Sequence, residues 1–574
     1  MKPYLCAKPT SMRIFILTFF ALVALSCNTQ QPADLVIYGG TIYTMDPTNP
    51  IVEAVAVSAD TIRFSGTRKE TEKFIGTKTK SIDLKGQTMT PGFIEGHGHI
   101  MGLGYNEMNI DLMGLQNFDE IIKKVEAAVA KSKPGDWIVG RGWHQDKWDK
   151  KPQRMVKGFP THDLLSAVAP ENPVLLEHAS GHNILVNAKA MQLAGVNATS
   201  REKIEVPVGG EIIRDNLGNP TGLFNETAAD LIAKVMPAPS EDSDRKALEL
   251  AIAACNRNGI TSFHSAGENQ KTIDLIRSFS DSQKLSVRMY IMLTGTDKKL
   301  LENYFRTGPQ VDRWVSVRSI KLYSDGALGS RGAWLLEPYS DQHDAYGQAT
   351  MIMDSVLTIS RRALKSGLQI CTHAIGDRAN REVLDRYEAA FREFPDAAKD
   401  ARFRIEHAQH LHPDDIPRFA QLGVIPAMQA IHLSSDRPWA IDRLGEKRII
   451  DGAYVWKKLL DSGAIIVNGS DVPVEPINPI ASFYASVTRK TLKGQPEGGY
   501  ESEQVMTREQ ALRSYTLDAA YGAFEEKIKG SIHPGKLADF TVFSKDLMTI
   551  HADELLSTEV TITIVGGKIV FEKN

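Results

Sequence analysis

The chain has 574 residues, 42% hydrophobic and 24% charged, a globular composition that excludes a disordered or fibrous protein. Lysine plus arginine number 67 against 70 acidic residues, a net charge of -3, so no basic excess exists to meet a phosphate backbone and nucleic acid is not an expected partner. The length allows three or four domains at about 150 residues each, and four cysteines in such a chain do not make a disulfide framework. The first element is an apolar run over residues 14–25, broken only by Thr18 and preceded by Lys2, Lys8 and Arg13. It is too short for a spanning helix, which needs about 20 apolar residues, and has the length of a signal-peptide core.

The run ends in Ala24-Leu25-Ser26-Cys27 and then turns polar. A small residue before a cysteine at that place resembles a bacterial lipoprotein cleavage box. The resemblance implies cleavage before Cys27 and lipidation of Cys27. The protein would then be exported and held by lipid to a bacterial membrane, on the periplasmic or cell-surface side. An ordinary secretory signal with an incidental cysteine is the alternative. Residues 1–26 are the expected signal peptide and 27–33 the anchor linker. Cys255 and Cys371 are expected as buried free thiols.

Residues 34–90 read as short strands and turns, and residues 526–574 answer them. Gly39-Gly40-Thr41-Ile42 and Gly566-Gly567-Lys568-Ile569 look like equivalent hairpin turns, with glycine at the φ > 0 positions. Two β-rich ends predict one small composite β-sandwich domain. Between them, residues 91–525 alternate apolar strands with amphipathic helices, as an α/β barrel of eight strands and eight helices, a TIM barrel, does. Strands are expected to end near Glu95, Phe263, Leu293, Tyr323, Thr372, Glu406, Met428 and Asn468. One intervening helix is expected over residues 355–367, capped by Gly367. The gap after the first strand is too long for one crossover, so residues 102–245 are expected to be a large insertion.

Histidines carry the chemical signal. His97 and His99 follow strand one, and in extended chain residues i and i+2 face the same way, so both imidazoles can reach one ion. His373 ends strand five, His407 ends strand six, and Asp471 follows strand eight. In a parallel barrel the C-terminal strand ends converge on one mouth. Singly, each has a plain structural role open to it, as a core histidine or a helix-capping aspartate.

Together with Asn468-Gly469-Ser470-Asp471, Thr372-His373-Ala374-Ile375-Gly376-Asp377 and residues 321–331, these positions resemble the amidohydrolase superfamily. More narrowly they resemble its amidohydrolase-3, YtcJ-like group, which includes N-substituted formamide deformylases. The likeness covers about residues 34–574. Two departures are Glu95 and Ser265, where the family more often has aspartate. The resemblance implies a metal-dependent hydrolase of C–N, amide-type bonds in a small molecule, holding one or two divalent ions. Zinc suits such ligands best, with manganese, iron or cobalt as substitutes. By resemblance, His97, His99 and Asp471 hold one ion and His373 and His407 the second. Lys321, carbamylated, bridges them. A metal-activated hydroxide attacks the carbonyl, with Asp471 as general base and then general acid. An unmodified Lys321 paired with an acid such as Asp325 is the alternative. Trp143, His182 and Arg331 are candidate substrate contacts, against core packing, a turn contact and a surface salt bridge. A homo-oligomer is compatible with the sequence. Other hydrolytic, deaminase or isomerase chemistry at the same site, or a catalytically silent anchored binding protein, stays open.

Overall fold

The computed structural model describes residues 31–573 apart from 114, 146–147, 179–182, 198–203 and 208–209. Eight strands form the central barrel: β1 (Phe93–Gly98), β2 (Ile260–Glu268), β3 (Arg288–Thr294), β4 (Val315–Tyr323), β5 (Gln369–Ala374), β6 (Arg404–His407), β7 (Ile425–Met428) and β8 (Val467–Asn468). They lie side by side in chain order and pair in parallel. All eight fall where expected, because strands covered on both faces read as short apolar runs. The barrel is nearly closed. No ladder joins β8 to β1, but the Asp471 N–H donates to the His97 carbonyl at 2.8 Å just beyond β8. Gly96 makes that approach possible, since a Cβ there would stand 2.3 Å from the Asn468 carbonyl oxygen.

The outer helices bury one apolar face each. Met353–Ser366 ends on Gly367 at φ +73°, the left-handed cap its sequence anticipates. The insertion forms its own six-stranded sheet from strands between Ile110 and Asn225, packed around Leu112, Phe118, Ile121, Leu176 and Leu223. Its edges differ from the expected 102–245. Helices Ile100–Met108 and Glu241–Arg257 bury Ile100, Leu103, Leu248 and Ala251 in the barrel's core, so both belong to the barrel layer.

The two termini form the expected composite domain: one hydrogen-bonded network links eight strands, and its edge at Thr61 and Ile62 folds back to residues 535–538, just before Phe540–Phe543, around a shared core. Leu35–Tyr43 pairs with Ile51–Ser58 on one side and with Lys80–Asp83 and then Thr88–Pro91 on the other. Thr88–Pro91 in turn pairs with Phe540–Phe543, which joins the halves edge to edge. Alternate residues Leu35 and Ile37, Val55 and Val57, Phe540 and Val542, and Ile562 and Ile564 make its core. Gly566-Gly567 is the expected hairpin turn, with φ +56° and +72°. Gly39-Gly40 is not a turn. It is a bulge within one strand, at φ +84° for Gly39, where the strand changes partner from Asp83 to Thr88.

This sheet meets the N-terminal ends of the first barrel strands through a buried ion pair. Arg288 at the start of β3 donates from Nε and Nη2 to Asp539 at 2.7 and 3.0 Å, and Gly566 N–H donates to the same carboxylate at 2.8 Å. Cys255 and Cys371 are free and buried, as expected. Among the described residues no helix is long and apolar enough to cross a membrane.

Candidate metal centre

The strand ends bring His97, His99, Lys321, His373, His407 and Asp471 to one mouth, lining a cavity of about 720 Å³. His97, His99 and Asp471 each offer a ligand atom within 4.8 Å of the others. The His407 ring centroid is 5.1 Å from that of His97 and 4.5 Å from that of His373. Register explains part of this: His373 lies opposite Glu406 and Tyr323 opposite His373. Backbone conformation explains the rest. His407 has φ +75° and Asp471 φ +59°, left-handed values that cost a non-glycine residue on the order of 1–3 kcal/mol and persist only where the surroundings impose them. At His407 the change breaks the alternation of β6, so neighbouring Glu406 and His407 both reach the site.

The imidazoles are oriented from behind. His97 Nδ1 pairs with Glu406, His99 Nδ1 donates to the Ala266 carbonyl at 3.0 Å, and His407 Nδ1 donates to Gln429 Oε1 at 2.7 Å. Each Nδ1 faces an acceptor and so carries the proton, which leaves each Nε2 with a lone pair toward the mouth. Asp471 Oδ1 then lies 3.2 Å from His99 Nε2 and 3.5 Å from His97 Nε2. These are acceptors facing acceptors. Asp471 Oδ1 has no hydrogen-bond partner, nor has buried His373 Nε2, which stands 3.3 Å from Asp325 Oδ1 without hydrogen-bond geometry. Lone pairs so close require a cation among them. Two ligands about 2.0–2.1 Å from a tetrahedral ion stand about 3.4 Å apart, so the spacing fits a metal such as zinc.

Burial and the neighbouring Lys321 push His97 down to about 4, which keeps it in the neutral, ligating form. Burial and His373 hold His407 well below the usual range. Burial works to raise the Glu406 carboxyl, but Arg404 and His97 outweigh it and keep it ionised. Arg404 binds Glu406 through Nε and Nη2 at 2.7 and 2.8 Å and reaches the Gly96 carbonyl and His264. Glu95, the first departure from the family pattern, accepts from Ser470 N–H at 2.7 Å, Ser470 O–H at 2.9 Å and His97 N–H at 3.1 Å. It thus fixes both edges of the seam that carry ligands, and burial pushes its carboxyl up to about 8. Ser265, the second departure, bonds Glu268 at 2.5 Å. Lys321 is buried and meets not Asp325 but His97 Nε2, at 3.1 Å. Its burial lowers its pKa.

The three candidate substrate contacts fare differently. Trp143 is 1% exposed in the insertion's core and donates its indole N–H to the Leu176 carbonyl at 2.9 Å. Arg331 pairs with Asp341 at 2.8 Å. Neither lines the cavity, so core packing and a salt bridge describe them. His182 and Cys27 lie outside the described residues. The insertion reaches the mouth through Arg141 instead. Arg141 pairs with Glu177 and Trp143 with His178, skipping Gly142 at φ +108°. That bulge puts Arg141 and Trp143 on opposite faces of the strand. Glu406, Gln429, Gln409, His432, Asp436 and Glu475 also escaped the sequence reading.

Residues 80–571 match the profile of the amidohydrolase family. YtcJ of Bacillus subtilis (strain 168) is 33% identical over 94% of this chain and 99% of its own length. The N-substituted formamide deformylase of Arthrobacter pascens is 29% identical over 95% and 99%. The crystal structure of an uncharacterized metal-dependent hydrolase from Pyrococcus horikoshii superposes with a TM-score of 0.73 at 25% identity, covering 90% of this chain and 99% of that one.

Proposed function

The chain belongs to the amidohydrolase family of metal-dependent hydrolases, and from that premise we propose that it hydrolyses an amide-type C–N bond of a small molecule. The observation that carries the reading is the pair of Nε2 lone pairs of His97 and His99 facing Asp471 Oδ1 beside an open cavity that His407 also lines. A divalent ion bound there, zinc in this reading, lowers the pKa of water toward about 7 and polarises a carbonyl. Asp471, which would face the ion with Oδ1, takes a proton from the attacking water on its other carboxylate oxygen and returns it to the leaving nitrogen. The C–N bond breaks to a carboxylate and an amine. His97 and His99 fix the carboxylate's position, and Glu406, Ala266 and Gln429 keep the imidazoles from rotating. Similarity to a formamide deformylase supports the bond class.

In the same reading Lys321 is carbamylated. Carbon dioxide adds to neutral Nζ with loss of a proton, and burial favours the neutral amine. The product is an anion among His97, His373 and His407. Protein equilibrated with ¹³C-bicarbonate should show a carbamate carbon resonance that Lys321→Ala lacks. Its absence from the native protein removes the bridge.

The test of the reaction is activity of purified protein on matched formamides, linear and cyclic amides, esters and phosphoesters, with metal analysis alongside. Amide turnover that is lost in chelator and restored by zinc is expected. Turnover of esters or phosphoesters alone, or a protein that binds less than one equivalent of metal, rejects the proposal. We further propose, from the sequence around Cys27, that lipid holds the protein to the membrane. Cys27→Ser or growth in globomycin should release it, and unchanged anchoring rejects this.

A further inference from the structure

Resting on that reading for the reaction but not for binding, we propose that Asp436, Glu475 and His432 form a subsite for a cationic group of the substrate, an ammonium or guanidinium. His432, Ser435, Asp436 and Trp439 lie on helix Ile431–Gly452, and the spacing i, i+4, i+7 sets His432, Asp436 and Trp439 on one face toward the cavity. Glu475 joins them from the loop after β8, four residues past Asp471.

The charge balance of the cavity wall singles this group out. Its three cations are engaged: Lys321 with His97, Arg443 with Asp341, and Arg141 with Glu177 at 3.5 Å and the Pro473 carbonyl at 2.9 Å. Asp471 sits with His97 and His99. Among the described residues no lysine or arginine pairs with Asp436 or Glu475. Asp436 has only neutral partners, the Ser435 hydroxyl at 3.1 Å and the Gln409 amide at 3.3 Å. Burial raises both carboxyls above the usual range, as expected of negative charge without a countercharge.

A second, independent observation lies beside them. His432 is 7% exposed, lines the same cavity, and its Nε2 is buried without a hydrogen-bond partner. Its ring stacks 6.1 Å from that of His407, so the subsite adjoins the metal centre. Trp439 adds an aromatic wall that favours a cation, its indole N–H being used by the Ser435 carbonyl at 3.0 Å. A substrate with its carbonyl at Asp471 and its amine-derived part toward this helix would place a positive charge between the carboxylates. A guanidinium suits them best, since its planar fork binds carboxylates bidentately.

Butylguanidinium and its neutral isostere butylurea test this by calorimetric titration of the full-length protein as isolated. Guanidinium stays protonated and offers no lone pair to a metal. Butylguanidinium should bind at least about tenfold tighter than butylurea, with the preference shrinking as salt is raised. Asp436→Asn combined with Glu475→Gln should bring the ratio near one, and each single variant should lower it. Equal affinity for the two probes in the unaltered protein overturns the proposal, as does a preference that survives the double variant. No variant needs to fold for the first of these outcomes. Because binding is read without turnover, guanidinium preference without amide hydrolysis overturns the reaction alone. Hydrolysis without preference overturns the subsite alone.

Discussion

At the floor of the barrel Arg288 and Asp539 bury opposite charges with their hydrogen bonds made, and a backbone N–H completes the carboxylate. At the mouth, Asp471 Oδ1 and His373 Nε2 are buried with no hydrogen bond, and His407 and Asp471 hold left-handed backbone conformations. Both places remove charge from water. The floor answers that desolvation internally and so contributes to docking the composite sheet. The mouth leaves it unanswered, which is tolerable only where a ligand from outside completes the set. A satisfied buried ion pair is therefore a structural joint, and an unsatisfied one marks where chemistry is done.

That contrast can be broken from either side. Asp471→Asn should lower kcat by about 10²–10⁴-fold while the melting temperature holds or rises, read on one preparation by kinetics and thermal melt. Full activity would remove Asp471 from proton transfer. Arg288→Ala does the reverse: it strands Asp539 in the interior and should cost about 3–5 kcal/mol in urea unfolding, with kcat per folded molecule unchanged. Glu406→Gln sharpens the comparison, since Glu406 belongs to both classes, satisfied by Arg404 and oriented toward His97. Metal affinity should fall about 10–100-fold in chelator competition. Trp143→Phe should cost about 1 kcal/mol for one lost hydrogen bond and leave KM unchanged; a shifted KM would return Trp143 to the substrate.

Much of this was legible in the sequence for stated reasons. The eight barrel strands are covered on both faces, so each appears as an apolar run, and their histidines sit at its end, where strand direction alone assigns them to the mouth. What stayed hidden depended on register or on a single torsion. Glu406 could not be paired with His97 before β1 and β6 were known to face each other across the barrel. Gly142 carries one positive φ, and that torsion exchanges Trp143 for Arg141 at the cavity. Gly39 shows the same limit: glycine announces an unusual φ, but only the partner strands tell a bulge from a turn. Asp436 stands on a helix and Glu475 on the loop after β8, and only the fold brings both to one cavity.

The seam between β8 and β1 has a mechanical meaning. The first and last staves of the barrel meet without a ladder, through two backbone hydrogen bonds just beyond β8, Asp471 N–H to the His97 carbonyl and His99 N–H to the Val472 carbonyl, and through Glu95 holding Ser470. The donors expected to grip an ion stand on both sides of that gap, His97 and His99 on one and Asp471 on the other. A captured ion would act as the clasp of the cylinder, so its departure should loosen the circumference as well as silence the enzyme. Amide exchange at the seam ought then to quicken on demetallation before it does elsewhere in the wall.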